Sequence, residues 1–126
     1  MGKTKAPVLA ESDVRSRLAA ELPAWTLEGG HLERVYRTSG WRSSLLCANA
    51  VGHLAEAAWH HPDLMVSFRT VTVRLMTHDS NGITELDFAL AKKIEDLIGW
   101  RPAKDGSPLP GTPDRPEFKY LDYGDK

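Results

Sequence analysis

The chain has 126 residues, with 16 Lys plus Arg against 17 Asp plus Glu scattered along its length. That is enough for one domain with one core, and it carries no electrostatic footprint for nucleic acid or an anionic membrane. Cys47 is the single cysteine and allows no internal disulfide; no apolar run of about 18 residues occurs, and the N-terminal MGKTKAPVLAE lacks the apolar core of a signal peptide. These features point to the reducing cytoplasm and to a partner that is a small molecule or another protein.

Ser12 precedes a stretch in which Val14, Leu18 and Leu22 recur at helical spacing until Pro23, which predicts a first helix of about ten residues. Trp25 to Glu28, Gly29-Gly30 and His31 to Thr38 read as two short extended runs around a glycine turn. From Trp41 to Trp59 the residues Leu45, Ala48, Gly52, Ala55 and Trp59 form one apolar stripe of a long helix. After Pro62, Leu64–Phe68 and Val71–Thr77 read as strands separated by Arg69-Thr70, with Val71, Val73 and Leu75 facing inward. The cluster His78-Asp-Ser-Asn-Gly82 is a turn. Thr84 then caps a last helix, with Asp87 in capping-box position and Leu86, Leu90, Ile94 and Leu97 on the apolar face.

The predicted order is α-β-β-α-β-β-α, an α+β two-layer sandwich with a four-stranded antiparallel sheet and helices on one face. Residues 1–8 form an N-terminal arm, 9–100 the domain, and 101–126 a tail. The periodic core ends by Ile98, and five of the eight prolines lie between Pro102 and Pro116. The tail aromatics Phe118, Tyr120 and Tyr123 are suited to docking on a neighbouring surface, a partner or a second subunit.

Three of the five histidines, His60, His61 and His78, fall within nineteen residues, at the ends of a helix and of a strand that converge on one end of the sheet. An imidazole titrates near pH 6.5, about neutral, so several around one pocket suit a reaction that takes a proton from one atom and gives one to another. Three histidines are also a zinc ligand set, although adjacent side chains often point apart and no HExxH or CxxC spacing is present. His61 before Pro62 is equally a helix C-terminal residue favoured by the dipole, and His78 a turn residue. Asp87 serves a first helical turn as well as it serves catalysis. Glu56 stands one helical turn before His60 and can pair with it. His31 and His53 read as structural, Cys47 as core, and Trp25 as a packing anchor or the wall of a flat pocket.

Glu56, His60-His61-Pro62, Phe68, His78 and Asp87 span thirty-two residues, and the run THDSNGITELDFALA covers the last two. Their spacing resembles the signature of the pterin-4a-carbinolamine dehydratases over about Leu9 to Ile98. The resemblance implies the same α-β-β-α-β-β-α fold. It also implies an enzyme that dehydrates 4a-hydroxytetrahydropterin to quinonoid dihydropterin in tetrahydropterin recycling, with no metal or organic cofactor. His60 and His78 would be the proton-transfer pair and His61 would hold the pterin. Glu56 and Asp87 would fix imidazole tautomers or bind ring nitrogens, and Trp25 would line the pocket. The resemblance further implies a homodimer or homotetramer.

Two departures stand out: Trp59 precedes the histidine pair where an acidic residue is common, and Met65-Val66 replaces a more polar stretch. Similar chains also serve as dimerisation cofactors of homeodomain transcription factors or as RuBisCO assembly factors that tend to lose site residues. This chain keeps all three histidines, which favours an enzyme over a binding module.

Overall fold

In a computed structural model, which describes residues 5–124, the chain folds as α1 (Glu11–Glu21), β1 (Thr26–Glu28), β2 (His31–Arg37), α2 (Trp41–Ala58), β3 (Asp63–Val66), β4 (Thr70–Leu75) and α3 (Glu85–Ile98). Short 3₁₀ turns follow at His78–Ser80, Pro102–Lys104 and Pro116–Phe118. The order and the two-layer sandwich are those the sequence predicts. Of the expected N-terminal arm, residues 1–4 lie outside the described residues.

The sheet is antiparallel throughout, in the order β1-β2-β4-β3. Gly29 and Gly30 both take positive φ, 55° and 78°, the backbone that a two-residue hairpin turn requires and that only glycine adopts freely. Alternation puts Leu32 and Tyr36 of β2 and Val71, Val73 and Leu75 of β4 on the helix side, where all five are buried. The opposite face carries Glu33, Val35 and Arg37 beside Thr72 and Arg74, and an ion pair joins Arg74 to Glu33 across the register.

Both long helices bury a stripe offset from the one that apolar spacing alone suggests. In α2 the buried residues are Ser44, Cys47, Ala48, Val51 and Ala55, whereas Leu45 and Trp59 are exposed. In α3 they are Asp87, Phe88, Leu90, Ala91, Ile94 and Ile98, whereas Leu86 and Leu97 are exposed. Polar satisfaction explains the offset. Ser44 Oγ lies 2.7 Å from Thr38 Oγ1 and donates to the Phe68 carbonyl at 3.1 Å, so a serine takes an inward position at little cost. Strand ends shift too: β3 stops at Val66 and Phe68 falls in the turn, largely exposed.

Glu95 of α3 fastens the helix layer to the sheet. Its Oε1 accepts from Trp25 Nε1 at 2.9 Å, Arg34 Nε at 2.6 Å and Tyr36 Oη at 2.7 Å. Burial alone would raise this carboxyl, but the Arg34 and Tyr36 hydrogen bonds outweigh it and hold the group below its ordinary value.

The core does not end with α3. Leu121 in the tail is buried within the same cluster as Leu32 and Ile94, and Tyr120 packs against it. β1 pairs only with residues 31–33 of β2, so the rest of that edge lies open beyond Thr26. The tail fills it: Leu121 bridges Thr38, Ser39 N–H donates to the Tyr120 carbonyl at 3.2 Å, and Asp122 N–H donates to the Arg37 carbonyl at 2.9 Å. Proline content masks this docking, because the few pairing residues lie after Pro116 and have no periodicity of their own.

Two measurements follow from these contacts. Leu121→Ala should cost about 2–4 kcal/mol by urea denaturation, and deletion of residues 101–126 should lower the melting temperature; an unchanged melt would place the tail outside the core. The folded-state value of Glu95 is depressed, so its stabilisation is complete above the unfolded value of about 4.3 and lost as pH falls below it. Glu95→Gln should flatten that acid limb of the stability profile, read by melting between about pH 2 and 6.

Candidate active site

The site is built where three elements meet: the end of α2, the end of β4 and the start of α3. α2 closes with a Schellman arrangement, in which His60 N–H bonds the Ala55 carbonyl at 3.1 Å and Trp59 N–H bonds the Glu56 carbonyl at 3.2 Å. Trp59 is therefore left-handed, φ 53° and ψ 46°, and the chain reverses before the histidine pair. At the start of α3 the predicted capping box is present. Thr84 N–H donates to Asp87 Oδ2 at 2.9 Å, and Thr84 Oγ1 accepts from Leu86 N–H at 3.2 Å.

Asp87 is completely buried and does more than cap. Its Oδ1 lies 2.6 Å from His60 Nε2, and its Oδ2 also accepts from Thr77 Oγ1 at 2.8 Å. Proton positions follow by accounting. The Thr77 hydroxyl spends its one proton on Asp87, so the 2.7 Å contact between Thr77 and Thr84 must be a donation from Thr84. With both carboxylate oxygens accepting, His60 Nε2 carries a hydrogen, and Nδ1 is the nitrogen left with a lone pair in the neutral ring. His60 is 15% exposed, which leaves the imidazole an edge toward solvent.

His61 faces elsewhere. Its Nε2 lies 2.9 Å from Glu56 Oε1, and its ring meets Trp59 edge to face, centroids 4.9 Å apart at 81°. The pairing of Glu56 with His60 that helical spacing suggests is thus not the one found. The left-handed residue at position 59 takes His60 off the helical path, toward Asp87, and brings His61 back over the last turn. His78 opens the 3₁₀ turn directly after Thr77, is exposed, and so stands one residue from the hydroxyl that holds Asp87. Ser80 Oγ donates to the Ala6 carbonyl at 2.6 Å and Leu9 N–H donates to the Ile83 carbonyl at 2.8 Å, tying this turn to the N-terminal arm.

Trp25 is not brought to the histidines. It is 2% exposed and bonds Glu95, which lies eight residues beyond Asp87, about 12 Å along α3. Two concavities of about 270 and 180 Å³ also flank that far half of α3, and neither is lined by a histidine. Cys47 is fully buried and burial pushes its thiol up to about 11, the environment of a core residue and not of a nucleophile. Among the described residues no group of three His, Cys, Asp or Glu is arranged to hold a metal ion, and no helix is long and apolar enough to cross a membrane. Thr77 and Thr84 are the site residues that sequence reasoning gave no role beyond a strand end and a cap. The signal for Thr77 was its place at the inward-facing end of β4, next to a histidine.

Thr77→Val keeps the shape but removes one donor from a buried carboxylate, and should cost about 1–3 kcal/mol by denaturant unfolding. Thr77→Ser should recover most of the loss, and equal stability of the valine variant would show that Asp87 does not depend on the hydroxyl.

Comparison with known proteins bears on the family and the fold. The family model described as pterin 4 alpha carbinolamine dehydratase matches residues 7–97. A protein of Aquifex aeolicus named "Putative pterin-4-alpha-carbinolamine dehydratase" is 42% identical over 90 residues, 71% of this chain and 90% of that one. A protein of the same name from Chloroflexus aurantiacus is 39% identical over 93 residues, 74% and 99% of the two chains. The crystal structure of a transcriptional coactivator/pterin dehydratase from Brucella melitensis superposes with a TM-score of 0.66 at 28% identity, covering 72% of this chain and 98% of that one. With its fold, its matched span and its relatives in agreement, the chain belongs to the pterin 4 alpha carbinolamine dehydratase family.

Proposed function

We propose that the chain dehydrates 4a-hydroxytetrahydropterin to quinonoid dihydropterin and water, as a step in tetrahydropterin recycling. The observation that carries this reading is the His60–Asp87 pair, in which a buried carboxylate fixes one tautomer of an imidazole that keeps an edge toward solvent. The reaction breaks the C4a–oxygen bond. The hydroxyl gains a proton and leaves as water, and the ring nitrogen beside C4a gives up its proton as the new double bond forms.

Because Asp87 keeps the hydrogen on Nε2, His60 is suited to take the ring proton at Nδ1. His78, exposed and one residue beyond Thr77, is then the group that protonates the departing hydroxyl. His61, oriented by Glu56 and Trp59 at the surface, holds the pterin. Positioned acid–base catalysis of this kind contributes roughly a hundred- to ten-thousand-fold, and no step calls on a metal or an organic cofactor.

His60→Ala and His78→Ala should each lower kcat by about a hundred-fold or more with KM changed little, while His61→Ala should chiefly raise KM. Dehydration of 4a-hydroxytetrahydropterin should proceed at the same rate in the presence of chelator. Wild-type kcat in both the His60 and His78 variants would remove the catalytic assignment.

A partner-binding role is the second reading. It is favoured by the exposed Trp41, Leu45 and Leu46 on α2 and by the double description of the Brucella melitensis protein. The same apolar face would serve a homodimer or homotetramer, in which case assembly and catalysis coexist.

A further inference from the structure

Trp59 is the most exposed large apolar side chain among the described residues, at 75%, and it stands in the left-handed region. Asn81, the other non-glycine residue with positive φ, belongs to a type that tolerates that region; tryptophan does not. The position is the one that glycine normally fills at the end of a helix. Its capping bonds are made by the backbone N–H groups of Trp59 and His60, which glycine would supply equally well. The indole thus contributes nothing to the cap, is not buried in the core, and costs backbone strain. Strain retained at such a place is a sign of use.

What the indole does touch is His61, edge to face at 4.9 Å. That imidazole is also held by Glu56, through Nε2 at 2.9 Å. We propose that Trp59 is a binding residue of the site: its exposed ring is the platform on which the flat, conjugated side of the pterin stacks, and its contact sets the plane of His61 beside it. This rests on the dehydratase reading and deepens it, since it names the element that selects a flat heterocycle over an aliphatic hydroxy compound. Stacking of a heterocyclic base on an aromatic side chain is worth roughly ten- to a hundred-fold in affinity.

The test compares Trp59→Gly and Trp59→Phe with wild type by thermal melting, by dehydration kinetics on 4a-hydroxytetrahydropterin, and by calorimetric titration with 7,8-dihydrobiopterin. The glycine variant should melt at or above the wild-type temperature, because it relieves the left-handed strain, while KM and the dihydrobiopterin Kd rise roughly ten- to a hundred-fold with kcat within about three-fold. The phenylalanine variant should stay within a few-fold of wild type in KM. A glycine variant with wild-type KM and Kd overturns the proposal, and so does one that melts well below wild type, since the indole would then be a packing residue. If wild type shows no turnover, the dehydratase reading fails separately. The titration then decides: dihydrobiopterin binding that the glycine variant loses supports the platform, and absence of binding by wild type overturns it.

Discussion

The carboxylate of Asp87 is the point on which the functional end of the molecule depends. A fully buried charge is costly unless its oxygens are satisfied, and here each acceptor position draws on a different part of the chain. Thr84 N–H belongs to the start of α3, Thr77 Oγ1 to the end of β4, and His60 Nε2 to the segment after α2. Satisfying one carboxylate therefore forces three elements to converge. The same arrangement commits His60 Nε2 to Asp87, so the interaction that closes the fold at this end also sets the tautomer of the imidazole.

The end of α2 has to be made in a particular way for this to happen. An unbroken helix would keep residues 56 and 60 stacked one above the other, which is the geometry that spacing alone suggests. Instead the helix terminates by reversing at Trp59, and the two consecutive histidines separate: one goes inward to Asp87, the other stays at the surface with Glu56. Two histidine–carboxylate pairs result, one nearly buried and one solvated. In the buried pair the low dielectric strengthens the hydrogen bond; in the solvated pair water screens it.

Much of this was legible in the sequence. The strand alternation of Val71, Val73 and Leu75, the glycine hairpin and the Thr84–Asp87 capping box all follow from local patterns, and local patterns are what a single sequence records. What it did not show depends on hydrogen bonds between distant residues. Ser44 and Asp87 lie inside where Thr38 and His60 reach them, so the buried stripes keep Ala48 and Ala55 of α2 and Leu90 and Ile94 of α3 but leave Leu45, Leu86 and Leu97 exposed. For Trp25 the sequence leaves a packing anchor and a pocket wall open, and its indole N–H is committed to Glu95. Leu121 escaped notice because a single buried residue after a proline-rich stretch has no period.

α3 carries two carboxylates that organise opposite ends of the sandwich. Asp87 gathers donors around an imidazole and leaves that end open to solvent. Glu95 gathers an indole, a guanidinium and a phenol on one oxygen and presents no titrating group of its own to a cleft of histidines. The tail adds to the Glu95 end, since its bridge to Thr38 lies at the far end of β2: the register pairs Arg37 with Thr70 and Leu32 with Leu75, and the Leu75 end leads to Thr77 and Asp87. Residues 120–122 dock at the end of β2 away from Leu75. The family match stops at residue 97, so the extension adds its edge contacts at the end of the sheet away from His60 and Asp87.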